Sequence, residues 1–238
     1  MAFVLTAWQA PPARPVPAED EVQLWRFPLV AHEPLESLLD EQELERARRL
    51  RAPHKARAFI VARARLRLIL AGYIGCAPER LRFDYGAAGK PRLAGDMADG
   101  LAFNLGHSGD WGLCAVATGT EVGVDIERVD AQLDFEKLAA GFFSRTEQRR
   151  LQSCPPHRRR RLFFRLWTRK EAWLKGKGGG FSDPEQELAS AHLEGCCTHD
   201  GSWWLRSFPV ARHYLAALAV PREVACLRCW EFPSSSAG

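Results

Sequence analysis

The sequence predicts an α+β fold in two halves that meet near residue 120. Three observations carry this. The 238 residues are 46% hydrophobic, enough to bury one large core or two smaller ones. Helix-period and strand-period runs follow one another without the regular strand–helix–strand repeat of a doubly wound sheet. Both stretches, 1–119 and 120–238, hold long helical runs and several strands, which leaves room for two related halves, although no close internal sequence repeat is visible.

The elements follow in order. "EVQLWRFPL" (21–29) reads as a strand with Val22, Leu24 and Arg26 on one face. Over 34–50, Leu35, Leu38, Leu39, Leu44 and Leu50 recur at helical spacing. The segment 53–75 is a stronger helix, with apolar residues at 59, 60, 66, 69, 70 and 73 and with Gly72 and Gly75 at its end. Arg57, Arg63, Arg65 and Arg67 lie along it and are expected mostly on its solvated surface. Residues 81–93 read as strand–turn–strand, 101–119 as two strands about a tight loop, and 121–129 as another strand. Two helices are expected at 134–152 and 155–178, and "SWWLRSF", "HYLAALAV" and "VACLRCWEF" as an antiparallel meander.

Charge and cysteines bound the function. The net charge of +4, from 33 basic and 29 acidic residues, suits an anionic ligand or an acidic partner and does not point to nucleic acid. The apolar start "MAFVLTAWQA" has no basic region and runs into "PPARPVP", so neither a signal peptide nor a membrane span is expected. Seven cysteines, two of them adjacent at 196 and 197, do not form a disulfide framework and suit a reducing, cytoplasmic setting. Cys226 and Cys229 form one CxxC, but zinc would need a second ligand pair, so they read as small strand fillers.

Several short stretches carry chemistry. In "VGVDIERV" strand alternation turns Asp125 and Glu127 to one face and Val124 and Ile126 to the other. Two carboxylates together call for a cation, and hard oxygen donors suit Mg²⁺; an exposed face beside Arg128 is the alternative. In "LWTRKEAWLKGKGGG" helical spacing sets Trp167, Glu171 and Lys175 on one stripe. Glu171 and Lys175 are either a surface ion pair or a metal ligand and a phosphate contact, and Gly176, Gly178, Gly179 and Gly180 leave a small cationic exit. In "FNLGHSGDW", His107 and Ser108 sit between glycines, as a simple turn or as a loop whose N–H groups meet an anion. Lys90 precedes Pro91 in "GKPRL" and is therefore extended. Ser144 and Glu147 in "FFSRTEQRRL" match a helix capping box.

The ordered series "GKPRL", "FNLGHSGDW", "VGVDIE", "FFSRTE" and "RLWTRKEAWLKGKGGG", over residues 89–180, resembles the 4′-phosphopantetheinyl transferases of the surfactin-synthetase-activating (Sfp) type. The resemblance implies two similar α+β halves about a pseudo-twofold, 1–119 on the nucleotide side and 120–238 with the metal carboxylates. It also implies transfer of the phosphopantetheine arm of coenzyme A to a serine of an apo acyl or peptidyl carrier protein, with release of 3′,5′-ADP. Carried over, Asp125, Glu127 and Glu171 would hold Mg²⁺ or Mn²⁺, and Lys175 would meet the phosphates. Arg57, Arg63, Lys90, Pro91, His107 and Ser108 would bind the cofactor. Glu147 or Glu171 would act as base. A monomer suffices, since one chain holds both halves. The chain departs from the family at Gly106, where a serine is frequent. The competing expectations are a coenzyme A-binding regulator without turnover and a metal-dependent nucleotide phosphohydrolase.

Overall fold

The computed structural model describes residues 4–86, 89–95, 100–179, 197–199, 203–221 and 224–233. Gly180, which belongs to the glycine exit, lies outside them.

The α+β expectation holds. Strands β1 (Val4–Leu5), β2 (Glu21–Pro28), β5 (Leu101–Ser108), β6 (Trp111–Thr118) and β11 (Cys226–Glu231) form a five-stranded sheet ordered β1-β11-β2-β6-β5. Strands β7 (Gly123–Arg128), β8 (Cys197–His199), β9 (Trp204–Pro209) and β10 (Tyr214–Val220) form a second sheet ordered β7-β10-β9-β8. The short hairpin β3 (Phe83–Tyr85) and β4 (Pro91–Leu93) stands apart. The helices are α1 (Glu41–Arg48), α2 (Pro53–Ile74), α3 (Phe135–Phe142), α4 (Arg145–Ser153) and α5 (Pro156–Lys177).

Strand alternation stacks these elements in layers. On β2, Trp25 and Phe27 pack against Val61, Leu66 and Ile69 of α2. Val22 and Leu24, on the opposite face, meet Val124, Ile126, Ala216 and Leu218 of the second sheet. The far face of that sheet, Ala217 and Ala219, carries Ala172, Trp173 and Leu174 of α5. Each sheet thus bears one long helix, and α2 and α5 are both 22 residues long. Both end on a glycine in the left-handed region, Gly75 at φ 75° and Gly178 at φ 76°, a conformation that a side chain would strain.

Four expectations change. The arginines of α2 are not a solvated face: Arg63, Arg65 and Arg67 are buried. Acidic residues upstream take them in. Arg63 Nε lies 2.5 Å from Glu43 Oε1, and Arg65 Nη2 lies 2.9 Å from Glu33. Arg67, fully enclosed, bonds to Asp40, to Glu43 and to the carbonyls of Pro78 and Leu81. Buried charges persist when paired and hydrogen-bonded in this way. The helix expected over 34–50 is split into a 3₁₀ turn at Glu36–Leu38 and α1, because Asp40 forms a capping box with Glu43. Ser144 likewise splits the helix expected over 134–152 into α3 and α4. The C-terminal runs do not form one meander. Strands β9 and β10 pair antiparallel, whereas β11 crosses to the first sheet and runs parallel between β1 and β2. Cys229 there is a buried core residue, as the strand-filler reading expects. Among the described residues, no helix is long and apolar enough to cross a membrane.

Candidate active site

The site lies where β7 faces α5. Because Val124 and Ile126 point into the core between the sheets, alternation turns Asp125 and Glu127 toward the helix side. Helix α5 approaches closely because Gly123 has no side chain: a Cβ there would collide with the Ala172 carbonyl oxygen and the Gly176 backbone. Glu171 and Lys175, one turn apart, are thereby brought over the strand. Lys175 Nζ lies 2.7 Å from Asp125 Oδ1, with the Asp125 side chain 5% exposed and that of Lys175 30%.

The electrostatics follow from crowding carboxylates in partial burial. Burial raises the Asp125 pKa against the pull of Lys175. Glu127 is pushed up to about 7 by burial and by Asp125, while the hydrogen bond from Ser108 opposes this. Glu171 is raised by burial, with Lys175 opposing and Asp125 adding. Burial would lower Lys175, but Asp125, Glu171 and Glu127 together hold it above its usual value. The ammonium is thus the counter-ion of three acids that repel one another.

A divalent ion would suit the same place. Among the described residues, no three His, Cys, Asp or Glu side chains come together as a group that could enclose a metal ion, so the expected Asp125–Glu127–Glu171 set is not closed. Its donors nonetheless fit a hard cation: all are carboxylate oxygens, and Asp125 Oδ2 is buried with no hydrogen-bond partner.

The residues expected to bind cofactor divide. His107 lines a cavity of about 940 Å³ with Arg46, His54, Lys55, Arg57 and Phe59. A smaller one of about 250 Å³ shares Arg46, Phe59 and His107 with it and also reaches Arg63, Lys90, Pro91 and Lys175. A cationic path therefore leads toward the carboxylates. Burial and the Lys175 charge lower the His107 pKa. Arg46, His54 and Lys55 are additions that the sequence reasoning missed. No local pattern signals Arg46, whose guanidinium lies 5.7 Å from the Phe59 ring on another helix.

The other expected residues are already engaged. Arg57 Nη2 donates to the Ala31 carbonyl at 3.0 Å, and Arg63 holds Glu43 and the Tyr85 hydroxyl. Lys90 donates to Glu121 and to the carbonyls of Val122 and Gly176, which uses all three protons and ties β4 to the end of α5. Ser108 Oγ donates to Glu127 Oε2 at 2.6 Å. Glu147 is fully enclosed. It completes the capping box with Ser144 and lies 3.0 Å from the equally enclosed Lys170 ammonium, while its Oε1 has no hydrogen-bond partner.

A profile of the 4′-phosphopantetheinyl transferase superfamily matches residues 121–220, which include β7 and α5. The chain is 41% identical over 193 residues to the 4′-phosphopantetheinyl transferase HetI of Nostoc sp., covering 79% of this chain and 81% of HetI. It is 34% identical over 198 residues to slr0495 of Synechocystis sp., with 79% and 80% covered. A 4′-phosphopantetheinyl transferase of Bacillus subtilis is 32% identical over 144 residues, 60% of this chain and 62% of that protein. The chain belongs to the 4′-phosphopantetheinyl transferase superfamily.

Proposed function

We propose that the site formed by β7 and α5 transfers the 4′-phosphopantetheine arm of coenzyme A to a serine of an apo acyl or peptidyl carrier protein, releasing 3′,5′-ADP. The observation that carries this is the juxtaposition of three carboxylates and Lys175 at the end of a cationic cavity. Such a cavity suits the polyanionic nucleotide half of coenzyme A, with Arg46, His54, Lys55 and His107 on its wall. Lys175 leaves Asp125 to meet the pyrophosphate. Asp125, Glu127 and Glu171 hold Mg²⁺, which neutralises charge on the phosphates when bound.

Of the two candidate bases, Glu171 takes the role. It is partly exposed and stands beside Lys175, and burial raises its proton affinity. Glu147 is enclosed and ion-paired, so it holds α4 against α5 instead. The site needs one chain, in line with a monomer, and five described cysteines are free thiols, in line with a cytoplasmic setting. The longer alignments with HetI and slr0495 favour a branch near those proteins over the surfactin-synthetase-activating type.

The test is incubation with coenzyme A, Mg²⁺ and a panel of apo carrier domains. A carrier mass gain of one phosphopantetheine supports the reading. Tight coenzyme A binding with no gain on any carrier would leave a regulator, and nucleotide hydrolysis without an acceptor would leave a phosphohydrolase.

A further inference from the structure

Strand β7 is the outer strand of the four-stranded sheet, and β5 is the outer strand of the five-stranded one. These two edges face each other without forming a backbone ladder. Unpaired edge N–H groups need other acceptors, and alternate residues of β5 meet that need. Asn104 Oδ1 accepts from Val124 N at 2.8 Å, and Ser108 Oγ accepts from Arg128 N at 3.1 Å. Between them Gly106 lets the strands close up, since a Cβ there would lie 3.3 Å from the Asp125 Cα. The stretch "NLGHS" is therefore a seam between the sheets, and its end, His107 and Ser108, also lines the larger cavity.

We propose that Ser108 is a positioning residue for the Glu127 carboxylate. This rests on the reading of Asp125, Glu127 and Glu171 as the cation site. A hydroxyl has one proton to give. The Arg128 N–H occupies one lone pair of Ser108 Oγ, and the proton goes to Glu127 Oε2 at 2.6 Å. With both bonds in place Ser108 has no proton left for a phosphate, although it also lines the larger cavity. What it does is hold one carboxylate oxygen of Glu127, Oε2, in place. Ligating carboxylates are commonly oriented by such outer partners, whose loss weakens metal binding by about 10–100-fold. The anchor is rigid because the Arg128 amide and Glu127 are neighbours on one strand, so the hydroxyl reads the register of β7 directly.

The test uses the whole chain and Mn²⁺ alone as probe, titrated by electron paramagnetic resonance. Ser108→Ala is expected to bind Mn²⁺ at least about tenfold more weakly than the native protein, and Ser108→Thr to recover most of that loss. Coenzyme A binding, measured in EDTA by calorimetry, is expected to stay within about twofold in both variants, because the lost bond is to Glu127 and not to the cofactor. Native-like thermal unfolding shows that each variant is folded. If Ser108→Ala does not fold, Ser108→Cys, with its weak S–H donor, takes its place. Unchanged Mn²⁺ affinity, or a loss of coenzyme A affinity in EDTA, overturns the positioning role alone. No Mn²⁺ binding by the native protein, with or without coenzyme A, overturns the cation reading and the role together.

Discussion

Lys175 Nζ lies 2.7 Å from Asp125 Oδ1, and this contact joins α5 to β7 at the centre of the site. The ammonium stands among acids that a divalent ion would otherwise draw together. Lysine and metal therefore compete for one set of charges, while lysine and cofactor phosphate attract. Replacing Lys175 with Met should have effects of opposite sign. Mn²⁺ binding without coenzyme A should tighten, and coenzyme A binding should weaken, each by about tenfold, with the second effect smaller at high salt because a charge contact is screened. Two calorimetric titrations at two salt concentrations check this. A loss of coenzyme A affinity independent of salt would point to a packing role for Lys175 instead.

Glu127 sets a pH dependence. Its folded pKa is pushed up from 4.5 to about 7 by burial and by Asp125. The folded state therefore binds this proton more tightly than the unfolded chain. The sign follows: Glu127 costs stability progressively as pH rises from about 4.5 to about 7, and a bound cation relieves that cost. The native protein should lose melting temperature relative to Glu127→Gln across this window. Mn²⁺ affinity should rise with pH through the same range. Parallel stability curves for the two proteins would contradict the assignment.

The enclosed pair of Glu147 and Lys170 separates structure from catalysis. Removing one partner, as in Lys170→Met, should destabilise the fold by about 3–5 kcal/mol in denaturant titration, because a buried charge is left alone. The double variant Glu147→Gln, Lys170→Met keeps an N3 residue able to complete the capping box and should recover much of that loss. Per folded molecule, the double variant should transfer within about tenfold of the native rate, less than loss of a catalytic base would cost. A folded double variant without activity would return the base role to Glu147.

Arg46 lines both cavities, and the sequence alone did not single it out. Arg46→Ala should weaken coenzyme A binding by about tenfold at low salt and less at high salt. The KM for the carrier protein should stay unchanged. A carrier-specific defect would assign Arg46 to the protein partner.

The periodic parts of the fold were legible in sequence. Strand β2, helix α2 and helix α5 have clean apolar spacing, and the alternation in "VGVDIE" gave the shared side of Asp125 and Glu127 correctly. Partners distant in sequence were not legible. Arg63 and Arg67 look like a charged surface until α1 folds Glu43 against them, a pairing that no local pattern encodes. Strand β11 reads like the next strand of a hairpin, and only its alternation between two cores, Leu227 and Cys229 against Trp230, fits its place in the first sheet. Lys90 looked free in its motif and is committed to three acceptors that lie far along the chain. In "FNLGHSGDW" the loop reading was wrong for His107 and Ser108, which lie in β5 paired with Gly112 and Trp111 of β6, and it missed that Asn104 and Ser108 bind another strand.

The central claim is that the acids on β7 carry the reaction, and Asp125→Asn tests it most directly. Asparagine keeps the volume and removes the charge beneath Lys175. With coenzyme A, Mg²⁺ and a carrier that the native chain modifies, single-turnover mass spectrometry should show the Asp125→Asn rate reduced by at least about a thousandfold, while the melting temperature stays close to native. A folded Asp125→Asn protein that transfers within about tenfold of the native rate would contradict the account.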